Sequence, residues 1–201
     1  IKRATKRPDM PNPNSAALDF LLTRRSRPAK TLIAPVPDKY ALKPILTAAL
    51  RTPDHGKLEP WRLIVLEKAA LTRLAGMIAP LGHSLGIDPE KIEKARHQYA
   101  DADLAVTVVF SPKDSEKVPH IEQLYSAGAV CLSLLNAALA AGWGANWLSG
   151  WASHDRSFVE NGLGLLPHES IAGFIHIGTE SCAPPERPRP ELDQVVSWVD
   201  Q

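Results

Sequence analysis

Residues 124–153 read LYSAGAVCLSLLNAALAAGWGANWLSGWAS, without a single Asp, Glu, Lys or Arg, and the reading of this stretch decides the fold. A charge-free run of this length is long enough for a bilayer-spanning helix. Its contents argue otherwise. Ser126, Ser133, Asn136, Asn146 and Ser149 interrupt it, Gly142 and Gly144 break any single helix, and much of its apolar character comes from Ala rather than Leu or Ile. No Lys/Arg cluster flanks it to set an orientation across a membrane. The stretch predicts a buried central helix over 121–141, then a short strand over 146–149, and no membrane span. Its small side chains permit close helix approach, which suits a dimer seam.

Outward from this helix, apolar runs alternate with amphipathic ones. Residues 61–67 (WRLIVLE), 104–110 (LAVTVVF) and 171–178 (IAGFIHIG) read as strands, the second apolar enough to be buried on both faces. Helices are expected over 15–25, capped by Ser15, over 69–81 and over 89–99. Another starts at Asp38, with Leu42, Ile45, Leu46, Ala49 and Leu50 at helical spacing, Pro44 near its first turn and Pro53 as its stop. Residues 28–37 form an irregular connector. Strands separated by helices give a layered α/β or α+β domain over 15–201.

The ends differ in character. Residues 1–14 are basic and then rich in Pro and Asn, with no apolar h-region, and are expected to be a poorly ordered lead-in rather than a retained signal peptide. Residues 181–190 hold four prolines and cannot be helical. They stiffen an extended arm (181–201) whose apolar end, 195–199 (VVSWV), reads as a strand. That strand must dock on its own domain or on a partner subunit.

Composition narrows the function. In 201 residues, 44% are hydrophobic, enough for a core, and 23 basic side chains against 22 acidic leave a net charge of +1. No global field draws in nucleic acid or an anionic membrane. Cys131 and Cys182 cannot build a disulfide framework or a four-thiolate zinc site, which points to a reducing, cytoplasmic setting. The chain carries no phosphate-loop, dinucleotide-fingerprint, nucleophile-elbow or metal-ligand spacing.

Three constellations remain. In Thr23-Arg24-Arg25-Ser26-Arg27, guanidinium forks and a hydroxyl suit a phosphate monoester, although Arg also complements a helix C-terminus. Residues 51–61 (RTPDHGKLEPW) form a dense polar loop between a helix and a strand, the kind of segment that carries function, with Trp61 as its anchor. Residues 142–151 (GWGANWLSGW) interleave tryptophans, glycines and small polar groups, suited to a flat aromatic ligand or to an aromatic core cluster.

In this order the three segments resemble the FMN-dependent nitroreductase family, in its small single-domain subgroup. The L-L-x-R-R-S motif is matched from Leu21 to Ser26, R-x-P-D-H-x-x-x-x-P-W from Arg51 to Trp61, and A-A-x-A-x-G-x-G-x-x-W-x-S-G from Ala137 to Gly150. Val118-Pro119 with Ser126-Ala127-Gly128-Ala129 resembles the start of the family's central helix, and Gly178-Thr179 its late strand end. The resemblance implies an α+β fold, an α/β/α sandwich with a central mixed sheet, built as an intertwined homodimer with FMN at the subunit interface. It implies that Arg24, Arg25 and Ser26 hold the phosphate and ribityl end, with Arg187 and Arg189 nearby. Arg51 and His55 would approach the flavin from the loop, partly across the dimer, and Trp147, Leu148 and Ser149 would line its other side.

The implied activity is oxidoreductase chemistry without a catalytic side chain. NADH or NADPH passes hydride to flavin N5 and leaves, and a nitroaromatic, quinone or similar flat acceptor follows in a ping-pong scheme. Arg25 or Arg51 would face N1 and O2. Two departures bear on the acceptor: Leu148 stands where the subgroup often has Arg, and Glu59 replaces the Gln usual before Pro-Trp. They leave a second reading open, a flavin-binding or interaction protein of the same fold with little turnover.

Overall fold

Strand β3 (Leu104–Phe110) is buried at every residue, as its unbroken apolar run predicts. The computed structural model describes residues 12–200. The expected lead-in therefore lies mostly outside the described residues, and of its last three Asn14 is the N-cap of α1 (Ser15–Thr23), accepting from Ala17 N at 3.1 Å. That cap belongs to Asn14, not to Ser15. After β1 (Leu32–Ile33), Asp38 caps α2 (Lys39–Ala49) by accepting from Tyr40 N and Ala41 N. Pro44 sits in the second turn of α2, not the first. Pro44 and Tyr40, one turn apart, are both exposed, so the carbonyl freed by the missing N–H lies on the solvent side.

The chain continues through β2 (Trp61–Glu67), α3 (Lys68–Ser84), α4 (Pro89–Ala100), β3, α5 (His120–Ala140), β4 (Gly144–Leu148), α6 (Arg156–Leu163), β5 (Ser170–Glu180) and α7 (Leu192–Val195). Asp88 caps α4, with Pro89 in the first turn where its absent N–H costs nothing. Gly164, at φ 68°, ends α6 in the left-handed conformation. The expected terminal strand over 195–199 does not form. A strand needs a partner ladder, and the single chain supplies none there; one helical turn is followed by extended residues, with Trp198 87% exposed.

The sheet runs β1-β5-β3-β2, and β4 also pairs with β5. Every pairing among the described residues is antiparallel, which corrects the expectation of a mixed sheet. The reason lies in the connections. The two helices α3 and α4 between β2 and β3 return the chain to its starting end, so these neighbours oppose each other. The single helix α5 makes β3 and β4 run the same way, but β5 inserts between them. The parallel pair never becomes adjacent.

Helices cover both faces, giving the expected three layers. On one face Leu42, Ile45, Val130 and Leu134 pack on Val106, Val108, Ile175 and Ile177. On the other Leu71, Ile78, Tyr99 and Phe158 pack on Leu66, Ala105, Val109 and Phe174. Tyr99 lies 5.5 Å, centroid to centroid, from both Phe158 and Phe174. Each such fully buried side chain stabilises by about 1.5–3 kcal/mol. Helix α5 is long and apolar enough to cross a membrane by length and composition, yet Val130, Cys131, Leu134 and Ala138 are spent on this core.

Candidate functional site

The arginine segment follows the last turn of α1. Arg24 N donates to Phe20 O at 2.7 Å, closing the helix, and the chain is then tied to β4 by Arg27 N to Ala145 O at 2.8 Å and Asn146 Nδ2 to Arg27 O at 2.5 Å. Held this way, Arg24, Arg25 and Arg27 line a cavity of about 300 Å³ with Phe20, Leu139 and Trp143. Arg24 Nη2 donates to Ser26 Oγ at 3.0 Å. Arg25 Nη2 reaches Pro185 O on the C-terminal arm at 3.4 Å, and Arg27 pairs with Glu180 at 3.1 Å.

Electrostatically the cluster is unfinished. Burial, then the neighbouring charges of Arg189, Arg25 and Arg27, push the Arg24 guanidinium below its ordinary value. Four guanidiniums face two carboxylates, Glu180 on Arg27 and Glu186 on Arg189 at 3.4 Å. The Nε–H groups of Arg24 and Arg25 are buried and have no hydrogen-bond partner among the described residues. Such a site favours an added anion, since like charges in a half-buried cleft disfavour one another.

The 51–61 loop lies along α5, held at helical spacing. Thr52 Oγ1 is 3.1 Å from Ser133 Oγ, Ser126 Oγ donates to Pro53 O at 2.8 Å, and His55 Nδ1 lies 2.6 Å from Glu122 Oε2. Trp61, the expected anchor, is half-buried and donates Nε1–H to Ser126 Oγ at 3.0 Å. Gly56, Lys57 and Glu59 all have positive φ (74°, 55° and 48°). Asp54 supports this uncommon backbone by accepting from Glu59 N at 2.8 Å. Arg51 is exposed at the mouth of the loop.

The third segment contains β4. Trp147 donates Nε1–H to Ala172 O at 3.3 Å and packs against Gly173, where an added Cβ would stand 2.0 Å from the indole nitrogen. Leu148 pairs with Phe174 across the ladder, and Ser149 is exposed beyond the strand end.

The fold thus gathers Arg24, Arg25, Ser26 and Arg189 at the C-terminal end of α5. It does not bring His55 to them. From Glu122, beside His55, to Leu139, in the arginine cavity, the helix rises about 26 Å. Sequence reading passed over Glu180, Glu186 and Glu122. The first two carry no local signal, and a Glu in the first turn of a helix reads as a dipole-complementing residue.

Comparison with known proteins identifies the family and the fold. The Nitroreductase family model matches residues 23–179. Over 163 residues, 81% of this chain and 87% of the relative, the chain is 36% identical to the "Putative NAD(P)H nitroreductase YdjA" of Escherichia coli K12. A nitroreductase-like protein from Bacillus cereus superposes with a TM-score of 0.76 at 20% identity, over 96% of this chain and all of that one. A Desulfovibrio desulfuricans structure, described as a nitroreductase in complex with FMN, gives 0.69 at 20% identity, over 98% of this chain and 100% of that one. The matched span runs from the first arginines through the loop along α5 to the strand beside Glu180, and on that extent the chain belongs to the nitroreductase family.

Proposed function

We propose that this chain is an FMN-dependent oxidoreductase that moves hydride from NADH or NADPH to nitroaromatic, quinone or similar flat acceptors in a ping-pong scheme. The observation that carries the reading is the arginine cavity. Its surplus of guanidiniums and its unpartnered Arg24 and Arg25 Nε–H groups suit the terminal phosphate of a flavin mononucleotide. The FMN held by the D. desulfuricans relative supports the choice of anion.

In this reading Arg24, Arg25, Ser26 and Arg189 hold the phosphate end. Arg25 is committed to that end through the arm, so Arg51, exposed on the loop, is the cation that faces the flavin's N1 and O2 side. His55 approaches from the same loop, and Trp147, Leu148 and Ser149 form the wall on which a flat ring rests. Bound FMN would supply the redox chemistry, accepting hydride at N5 and passing it on. The side chains bind, orient and exclude water; none need act as a nucleophile.

The working unit is a homodimer. A span of about 26 Å separates His55 from the arginine cavity in one chain, more than one flavin mononucleotide bridges. A second copy that brings its own loop to the cavity removes the difficulty. Leu18, Leu21 and Leu22 on α1, Tyr125 and Leu132 on α5, and Trp198 on the arm are exposed apolar groups suited to burial between two copies. Two free thiols, Cys131 and Cys182, fit a reducing cytoplasm.

The test is direct. The purified protein should be yellow, release FMN on denaturation, and oxidise NADH or NADPH with menadione or nitrofurazone faster than free FMN. Flavin bound without such a rate would leave the low-turnover reading. A colourless protein that ignores added FMN would overturn both.

A further inference from the structure

We propose that Glu122 is a positioning residue for His55: its carboxylate fixes one tautomer and one orientation of the imidazole and leaves Nε2 as the ligand-facing atom. This rests on the reading of His55 as a flavin contact.

The geometry carries the assignment. His55 Nδ1 and Glu122 Oε2 are 2.6 Å apart, in the short range of charge-assisted hydrogen bonds. An ionised carboxylate only accepts, so the shared proton sits on Nδ1. Nε2 is then the unprotonated nitrogen, without a hydrogen-bond partner among the described residues, and the ring is largely open, at 62% side-chain exposure.

The turn around it, residues 53–59, is held through its backbone. Ser126 binds the Pro53 carbonyl, Asp54 binds Glu59 N, and Lys57 N donates to Asp54 O. None of these bonds touches the imidazole, and among the described residues Glu122 is its only polar partner. An exposed ion pair of this kind adds little to global stability. Its consequence is local: it sets where one ring points, on a turn whose three positive-φ residues already hold the backbone in a sparsely populated conformation. The equivalent arrangement at metal sites, a carboxylate behind a ligating histidine, sets tautomer and ring orientation in the same way.

Two measurements test this. Side-chain ¹⁵N NMR of the flavin-free protein, in alkaline buffer where imidazoles are neutral, reads the His55 tautomer. The parent should carry its proton on Nδ1. Glu122→Ala should shift the ring toward the Nε2–H form that unrestrained histidines prefer. Glu122→Gln should keep Nδ1–H, because the amide oxygen accepts the same bond. A parent ring with Nε2–H, or a Glu122→Ala ring unchanged from the parent, would overturn the proposal.

FMN titration then reads the consequence. Glu122→Ala should weaken binding on the order of ten-fold, and Glu122→Gln by no more than about two-fold. Equal losses in the two variants would also overturn it. A parent that binds no FMN would defeat the functional reading instead, while the tautomer measurement, made without flavin, would still judge Glu122.

Discussion

Trp61 donates its indole N–H to Ser126 Oγ at 3.0 Å, and the Ser126 hydroxyl in turn donates to Pro53 O at 2.8 Å. One hydroxyl on α5 thus ties both ends of the 53–61 loop to the central helix, across sequence separations of 65 and 73 residues. Ser126→Ala should leave a part-buried donor and acceptor unpaired and cost about 1–3 kcal/mol. Urea unfolding measures the loss, and FMN affinity should fall with it because the loop carrying Arg51 and His55 is no longer clamped. An unchanged midpoint would mean that water replaces the hydroxyl fully.

Arg24→Ala separates phosphate binding from folding. The substitution removes a guanidinium whose protonation is already disfavoured by burial and by three arginine neighbours, so the thermal midpoint should hold or rise. FMN binding should weaken by about 1.5–3 kcal/mol, the worth of a hydrogen bond to a charged group. Riboflavin, which lacks the phosphate, should bind parent and variant alike. Parallel losses for FMN and riboflavin would relocate the phosphate away from Arg24.

Gly173→Ala should displace Trp147. The new Cβ would fall 2.0 Å from Nε1 and 2.5 Å from Cδ1 of the indole, closer than any atoms pack, so the ring must leave its place on β5. The cost in stability is about 1–3 kcal/mol. Near-UV circular dichroism and tryptophan emission report the movement, and acceptor turnover should drop if the indole forms the wall of the flavin site.

His176 should shape the acid side of the stability profile. It is buried, its Nε2 has no partner among the described residues, and burial pushes its pKa from 6.5 down to about 4. The unfolded chain therefore binds a proton in this interval that the folded chain refuses. Stability falls as pH drops from 6.5 towards 4, by about 3 kcal/mol in all. His176→Leu should flatten that limb of a thermal-midpoint series. The Glu169 carboxyl, held at about 2 chiefly by its hydrogen bonds from Arg62, gives up its contribution only as pH falls from 4.5 towards 2, so the two windows barely overlap.

Local pattern was enough to place most of the architecture. The 3.6-residue spacing of Leu42, Ile45 and Ala49, the apolar run 104–110 and the helix start at Asp38 are properties of neighbouring residues, and each element stands where that pattern puts it. The long helix was legible too, because serines, asparagines and glycines within 124–153 mark a core helix and the turn after it rather than a span. Elements without such a pattern escaped: β1 lies within a connector, and α6 follows a tryptophan-rich turn.

What no local reading supplied is contact between distant segments. Sheet direction followed from β5 entering between β3 and β4, a choice made by packing two helical layers on one sheet. The arm's strand failed because backbone donors and acceptors need a second chain segment to pair with. The pairing of Arg27 with Glu180, of His55 with Glu122, and of Trp147 with Gly173 leaves no trace in composition or periodicity. Motifs named the residues able to meet an anion or a flat ring. Only the folded chain revealed that α5 keeps the arginines and His55 at opposite ends, because a rigid helix turns sequence separation into fixed distance.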